Sequence, residues 1–521
     1  MKLGVLLGAA SARVEGDARH IDVRGIAYDS RKARPGTVFV AVPGFHRDGH
    51  DFARDAVARG AVAIVAERPL DVSVPVAVVP DVRAALADLA AEFFDHPTRR
   101  LRLVAVTGTD GKTTTVHLVS DVLEAAGERT GYATTVDFKL GESEWANETR
   151  QSTQEAVEVQ EFFAELLVAG GTWGVLEATS HALALRKLRH CDVDVAVLET
   201  SSHALALERV RATRFRVGVF TNLSPEHLDF HGTLQRYLEA KGLLFEMLGR
   251  GAAKGVAKAA VLNADDPRWR YLADRARDAR VITYAVDALA DVQAHIVASD
   301  ARGSHLQITA FGERAEVTLP LVGRFNVYNA LAAAAAGLAA GATLQHARVA
   351  LSQARAVRGR MERVDLGQPF TVIVDYAHTA ESLDKVLSLL RPLTPGKLIV
   401  VFGAAGERDR AKRPALARVA AAHADFFVIT QEDPRLEDPV RILEEIEQGA
   451  LEAGRRRAVG YEVIDDRRAA IVAAIGRAEK GDTVVLAGKG HEGSMIVGEQ
   501  KRPWDEAGAA RAALRARGFG G

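Results

Sequence analysis

A single cysteine, Cys191, stands among 521 residues, which excludes an intramolecular disulfide and offers no cysteine cluster to zinc. It reads as a small buried residue. An excess of charge of one sign is also missing: 67 Lys and Arg against 68 Asp and Glu leave a formal net charge of -1. No global field therefore favours nucleic acid or an anionic membrane, and a polyanionic substrate must be held by a local basic cluster. The chain lacks any run of about 20 apolar residues that could cross a bilayer. Leu3 to Ala10 is apolar but short, and Arg13, Glu15 and Asp17 follow at once, so no signal peptide is read there. The expected setting is the cytoplasm, where ATP is available, with no nucleic acid partner, no membrane insertion and a monomeric state. What is present is ordinary globular composition, 48% hydrophobic and 26% charged. The length suits roughly two to four domains, each with its own core.

The stretch that organises the chain is Leu103 to Thr115. An apolar, β-branched run ends in Gly108-Thr109-Asp110-Gly111-Lys112-Thr113-Thr114 and opens into Val116 to Leu123, whose apolar residues recur at helical spacing. This is a strand, a tight loop and a helix start. Backbone N–H groups of such a loop converge with the helix N-terminus on one spot, which suits a polyphosphate. Lys112 adds a cation, and the Thr113 hydroxyl can face Mg²⁺. The spacing Gly-x-x-Gly-Lys-Thr is tighter than the full eight-residue phosphate loop. Its context, between strand and helix, points to a nucleoside triphosphate.

Around it the chain divides into three α/β parts. Residues 1–98 hold strand-like runs at Val38 to Val42 and Ala61 to Val65, a helical segment from Phe52 to Arg59, and two loops, Asp29-Ser30-Arg31 and Gly44 to His50, that suit either a ligand or plain turn chemistry. Residues 99–357 alternate strands and helices, which implies a mainly parallel sheet covered on both faces. Such sheets bind ligands beyond the carboxyl ends of their strands, so Glu199, Asn222, Glu226 and His227 gain weight, with Lys241 one helix later. A carboxylate and a histidine beside a phosphate loop could hold magnesium. Val175 to Leu185 recurs as Val197 to Leu207, 22 residues on, so Glu177 and Glu199 compete for one metal-facing position. Two copies are too few for a solenoid, and a local duplication is the simpler reading. Beyond Gly323 to Asn329 and an alanine-rich helix from Ala330 to Ala340, residues 358–521 carry strands at Thr371 to Asp375, Lys397 to Phe402, Phe426 to Thr430 and Asp482 to Ala487. Each ends in a polar or glycine-rich loop, and Arg408, Arg410, Lys412, Arg413 and Arg435 make that face basic.

Five ordered stretches carry a resemblance: Gly108 to Thr114, Thr221 to Gly232, Gly323 to Asn329, Asp375 to Thr379, and Gly488-Lys489-Gly490-His491-Glu492. Together they resemble the Mur ligases over essentially the whole chain, most closely the MurE branch. That resemblance implies three α/β domains: a small N-terminal UDP-sugar-binding domain, a central P-loop-type domain binding ATP, and a Rossmann-like C-terminal domain binding the amino acid and nucleotide. It implies ATP-dependent addition of a diamino acid to UDP-N-acetylmuramoyl-L-Ala-D-Glu, with ATP and Mg²⁺ as cofactors. It makes Lys112, Glu199, His227 and a carbamylated Lys241 the catalytic and metal-organising set, with Thr113 on the metal. Gly108, Thr109, Asp110, Gly111, Lys112, Thr113, Thr114, Asn329, Arg360, Asp375 and His378 would contact ATP. Ser30, Phe45, His46 and Arg47 would hold the uridine end, and Ser152, Thr153, Ser202 and Arg209 the sugar peptide. Arg408, Asp433, Arg435, Gly488 and Glu492 would select the incoming amino acid.

The chain also departs from the family pattern. Ser152-Thr153-Gln154 replaces the usual Thr-Thr-Pro, and the 22-residue repeat is atypical; Glu199 is favoured over Glu177 because it should share a sheet edge with His227. Glu432-Asp433-Pro434-Arg435 replaces the Asp-Asn-Pro-Arg associated with meso-diaminopimelate. Arg435 suits that acceptor's distal carboxylate, whereas Asp433 suits the distal ammonium of lysine or ornithine. Relatives such as MurF, folylpolyglutamate or cyanophycin synthetases, and a non-catalytic nucleotide-binding protein, are the competing readings. Because the motifs lie on different domains, closure on ATP binding is expected.

Overall fold

Short runs of Val, Ile and Ala between Asp- and Thr-capped helices build this molecule. Asp81, Thr379, Asp438, Asp466 and Asp505 each accept a backbone N–H at the start of a helix, satisfying donors that have no partner inside it. The computed structural model describes residues 1–12, 16–44, 47–97, 102–106, 110–134, 136–147, 156–168, 173–177, 217–223, 233–248, 257–300 and 302–520. The architecture is α/β, with sheets in three successive parts of the chain.

The first sheet holds β1 (Gly25–Ala27), β2 (Thr37–Val40), β3 (Ala61–Ala66) and β4 (Val76–Val78) in chain order, all parallel. Two sheets follow. One has β5 (Arg102–Val106), β6 (Thr130–Ala133), β7 (Asp137–Leu140), β8 (Ser143–Ala146) and β9 (Trp173–Glu177) in the order β5-β9-β6-β7-β8. The other runs β10 (Val217–Phe220), β11 (Ala259–Asn263), β12 (Arg280–Ala285), β13 (Val292–Asp300), β14 (Gly303–Ala310), β15 (Glu313–Leu319). These two are more mixed than the expected mainly parallel sheet: β6-β7-β8 and β13-β14-β15 are antiparallel meanders on parallel cores.

The fourth sheet orders β16 (Glu362–Arg363), β17 (Thr371–Asp375), β21 (Thr483–Ala487), β18 (Leu398–Phe402), β19 (Phe426–Ile429) and β20 (Tyr461–Val463). All but β16 are parallel, so the ends of β17, β18, β19 and β21 open on one edge. The register sets Asp375 beside Ala487, and therefore beside the Gly488 to Glu492 loop. A hairpin, β22 (Ser494–Val497) with β23 (Gln500–Pro503), follows that loop.

The alanine-rich helix Arg324–Ala339 has no polar face; Ala330 and Ala332 to Ala336 are buried, because it runs between the phosphate-loop helix Lys112–Ala125 and the β10–β15 sheet. Small side chains let the two helices close up. At Gly337 a Cβ would lie 2.4 Å from Val122 Cγ1, so glycine is required by contact there.

Candidate active site

The phosphate loop leaves β5 at Val106 and re-enters the described residues at Asp110; Gly108 and Thr109 lie outside them. Gly111 caps the Lys112–Ala125 helix with φ +86°, a left-handed conformation that favours glycine. A second constraint falls on the same residue: a Cβ there would lie 2.2 Å from Asn329 Oδ1. Asn329, buried on the alanine-rich helix, donates from Nδ2 to Asn326 Oδ1 at 3.1 Å, and Asn326 donates to Val322 O at 2.8 Å. The structure thus brings together Gly111 and Asn329, two nucleotide candidates far apart in sequence. Thr113 is buried in the first helical turn, next to the partly exposed Lys112 and Thr114. Asp110 is exposed and pairs at 3.0 Å with Lys385 Nζ, which also holds Glu381 at 2.8 Å.

At the edge of the fourth sheet, Asp375 accepts N–H bonds from Met361 and Ala377, each at 2.8 Å. Burial pushes its carboxyl above the ordinary range, against the pull of the Arg360 guanidinium and those two N–H groups. Each oxygen accepts one backbone N–H, so Asp375 staples the Met361 and Ala377 loops while each oxygen keeps a further lone pair. Arg360 lies over the Tyr376 ring, 4.8 Å from its centroid, and His378 donates from Nδ1 to Tyr376 O at 2.9 Å. The Tyr376 ring also meets His491, 5.0 Å between centroids. Gly359 packs so tightly on the glycine-rich loop that a Cβ would fall 2.1 Å from His491 N.

The acceptor candidates are wired together by a residue the sequence reading left without a role. Lys489 is fully buried, and its Nζ donates to Asp433 Oδ1 at 2.8 Å, Glu492 Oε2 at 2.6 Å and Ser494 O at 2.8 Å. Asp433 Oδ1 also accepts from Ile496 N at 2.9 Å. Asp433, expected to add negative charge suited to a distal ammonium, thus shares one buried ammonium with Glu492. Arg435 has φ +55° and is clamped by backbone bonds to Ile496 O at 3.0 Å and from Gly498 N at 2.8 Å, while its Nε has no hydrogen-bond partner. Glu432 is buried, which raises its carboxyl above the ordinary range, and its Oε2 would lie 3.0 Å from a Cβ on Gly488. Arg467, itself fully buried against Glu506, donates to Gln431 O and Ala487 O, the carbonyls just before Glu432 and Gly488. One buried guanidinium therefore sets the spacing of both acceptor loops. The basic face is smaller than its sequence suggests. Arg413 is fully buried on Glu437 and Glu445, and Arg410 pairs with Glu437; Arg408 stays exposed.

In the first domain the loops follow turn chemistry. Arg31 folds back on Asp29 at 2.7 Å, and buried Ser30 bonds the Asp55 carboxylate. Asp48 caps a short 3-10 helix through His50 N and holds Arg68 at 3.0 Å, leaving Arg47 exposed. Lys241 is buried on the Leu234–Met247 helix with its Nζ 4.7 Å from the Tyr237 ring centroid. Phe45, His46, Ser152, Thr153, Glu199, Ser202, Arg209 and His227 lie outside the described residues. Among the described residues, His117, Asp137 and Glu144 form a group close enough to share a metal, on the wall of a cavity of about 740 Å³. Their bonds, His117 Nε2 to Asp137 at 3.0 Å and Tyr132 Oη donating to Glu144 at 2.6 Å, account for their closeness.

Comparison with known proteins finds one family along the chain. Residues 22–94 match the "Mur ligase family, catalytic domain", 106–198 and 185–337 the "Mur ligase middle domain", and 359–490 the "Mur ligase, glutamate ligase domain". The two middle-domain pieces overlap between the copies of the repeat. The chain is 48% identical over 508 residues to the UDP-N-acetylmuramyl-tripeptide synthetase of Roseiflexus sp. (strain RS-1), covering 96% of each. It is 43% identical over 496 residues to the UDP-N-acetylmuramoyl-L-alanyl-D-glutamate–2,6-diaminopimelate ligase of Geobacillus thermodenitrificans (strain NG80-2), covering 95% of this chain and 96% of the relative. A solved ligase structure of the latter description aligns over 100% of both chains with TM-score 0.67 and 29% identity. The MurF ligase of Thermotoga maritima in complex with ADP shares the fold, with TM-score 0.59 at 20% identity over 89% of this chain and 94% of that one.

Proposed function

The chain belongs to the Mur ligase family and is an ATP-dependent amide ligase, and we propose that it joins meso-diaminopimelate to UDP-N-acetylmuramoyl-L-Ala-D-Glu. Relatives named for that reaction support the reading. The observation that carries the choice of acceptor is the Lys489 network: it draws the Asp433 carboxylate onto a buried ammonium, which lessens its pull on a distal ammonium and leaves Arg435 as the group for a distal carboxylate.

A carboxylate is a poor electrophile. The glutamyl carboxylate therefore attacks the γ-phosphorus of ATP, forming an acyl phosphate and releasing ADP. The acceptor amine attacks the acyl carbon, loses a proton, and the tetrahedral intermediate expels phosphate. In this reading Gly108 to Thr114 cradle the phosphates, Lys112 offsets their charge, and Asn329, Arg360 and His378 close the nucleotide site. Ser30, Phe45, His46 and Arg47 hold the uridine end, and Ser152, Thr153, Ser202 and Arg209 the sugar peptide. Magnesium fits the donors on offer: a hydroxyl at Thr113, buried in the first helical turn, with carboxylate and imidazole from Glu199 and His227. When bound, the ion would neutralise phosphate charge during transfer. Lys241, buried on its helix, is the proposed carbamylated lysine, whose anionic form would suit a position beside the magnesium. Residues 1–98, 99–357 and 358–521 are the proposed domain limits. Among the described residues no helix is long and apolar enough to cross a membrane. The ATP requirement favours a cytoplasmic setting, and a monomeric state is proposed with it.

The test is phosphate release with the UDP-sugar dipeptide, ATP and Mg²⁺, offering meso-diaminopimelate, L-lysine and L-ornithine in parallel. Turnover with diaminopimelate, abolished by Lys112→Ala, is expected. Preference for lysine or ornithine overturns the acceptor, and silence with all three overturns the reading.

A further inference from the structure

Resting on that reading, we propose that Lys489 is a positioning residue that sets acceptor selectivity, offsetting the charge of Asp433 and Glu492 so that the site takes a diamino dicarboxylate in preference to a diamino monocarboxylate. An ammonium has three donors, and Lys489 spends all three inside the protein, on Asp433, Glu492 and Ser494 O. Its side chain is 0% exposed, so it touches no acceptor itself.

Two consequences follow from that geometry. The first concerns charge. Two carboxylates against one ammonium, with Arg435 two residues from Asp433, leave this corner close to neutral; without Lys489 it would carry an uncompensated anion that repels a distal carboxylate and attracts a distal ammonium. The second concerns register. Ser494 opens β22, and Asp433 also binds Ile496 N, so Lys489 fastens the hairpin against the acceptor loop. The same hairpin fixes Arg435, through Ile496 O and Gly498 N, in its left-handed conformation. Charge and the aim of Arg435 are thus set by one buried side chain.

The experiment compares kcat/KM for meso-diaminopimelate and L-lysine, at saturating ATP and UDP-sugar dipeptide, in wild type, Lys489→Met, Asp433→Asn and the double variant. In Lys489→Met the diaminopimelate-to-lysine ratio should fall at least about tenfold, through the KM for diaminopimelate, with the KM for ATP within about twofold. The double variant, which removes one charge of each sign, should return the ratio to within about threefold of wild type. Should Lys489→Met fail to fold, Asp433→Asn decides: it leaves Lys489 paired with Glu492 and should raise the ratio, and a fall overturns the proposal. Equal losses for both acceptors in Lys489→Met, with the ratio unmoved, also overturn it. A wild type that prefers lysine overturns the acceptor reading instead, and is distinguishable because no variant is needed to see it.

Discussion

A methyl group at position 111 has nowhere to go. Its backbone is left-handed, at a cost of roughly 1–2 kcal/mol for a side-chain-bearing residue, and Asn329 Oδ1 already occupies the space. Gly111→Ala should therefore push the loop or Asn329 out of place and raise the KM for ATP by about tenfold or more, since 1.4 kcal/mol is a factor of ten. Steady-state phosphate release at varied ATP measures this, with thermal unfolding as the control for global damage. An unchanged KM would mean that the loop does not need this conformation to bind nucleotide. The glycine pattern and its lysine were legible in sequence because strand, loop and helix are contiguous. The partnership with Asn329 was not, because it forms only when the alanine-rich helix packs against the phosphate-loop helix. Lys489 was quoted in a motif for the same contiguous reason, yet its work lies with Asp433, on the loop after another strand.

Elements show the same division between local and distant causes. Four parallel strands of the fourth sheet, β17, β18, β19 and β21, each an apolar run ending in a polar loop, were legible to within a residue or so, whereas the short β20 was not read. β11 to β15 escaped a reading built on strand–helix alternation, although Leu306, Ile308 and Ala310 alternate inward against Gln307 and Thr309. The loop from Gly44 to His50 looked equally suited to ligand or turn, and its visible residues act as staples. Asp48 accepts from His50 N and the His50 ring and pairs with Arg68; His50 Nε2 accepts from Glu67 N at 3.0 Å, and Glu67 accepts from Val82 N at 3.1 Å. Burial alone would raise the Asp48 carboxyl, but those bonds outweigh it and hold it at about 2. A lowered native pKa gives stability that is present above the ordinary carboxylate value of 3.8 and is lost as pH falls towards 2. Asp48→Asn should therefore unfold earlier than wild type in urea at pH 6, and the gap between the two midpoints should narrow by pH 3. A gap that is constant across that range would separate Asp48 from the acid sensitivity of the loop.

For the whole molecule, the nucleotide site has to be assembled from segments hundreds of residues apart. Asp110 on the phosphate loop meets Lys385 on the Ala380–Leu390 helix, which begins just after His378. The pair is about half exposed at each end, so its worth is at most about 1 kcal/mol and falls with salt. Burial would lower the Lys385 ammonium, but bonds to Glu381 and Asp110 outweigh it and raise it, so the cation persists throughout the neutral range. Lys385→Ala should raise the KM for ATP by about twofold to fivefold at low ionic strength and leave kcat within about twofold, because the link orients the two halves without touching the reacting atoms. At about 0.5 M salt, where the screening length is only a few ångströms, wild type should lose the same advantage and the two proteins should converge. A difference in KM that persists undiminished at high salt would show that Lys385 acts through packing of its helix and not through Asp110.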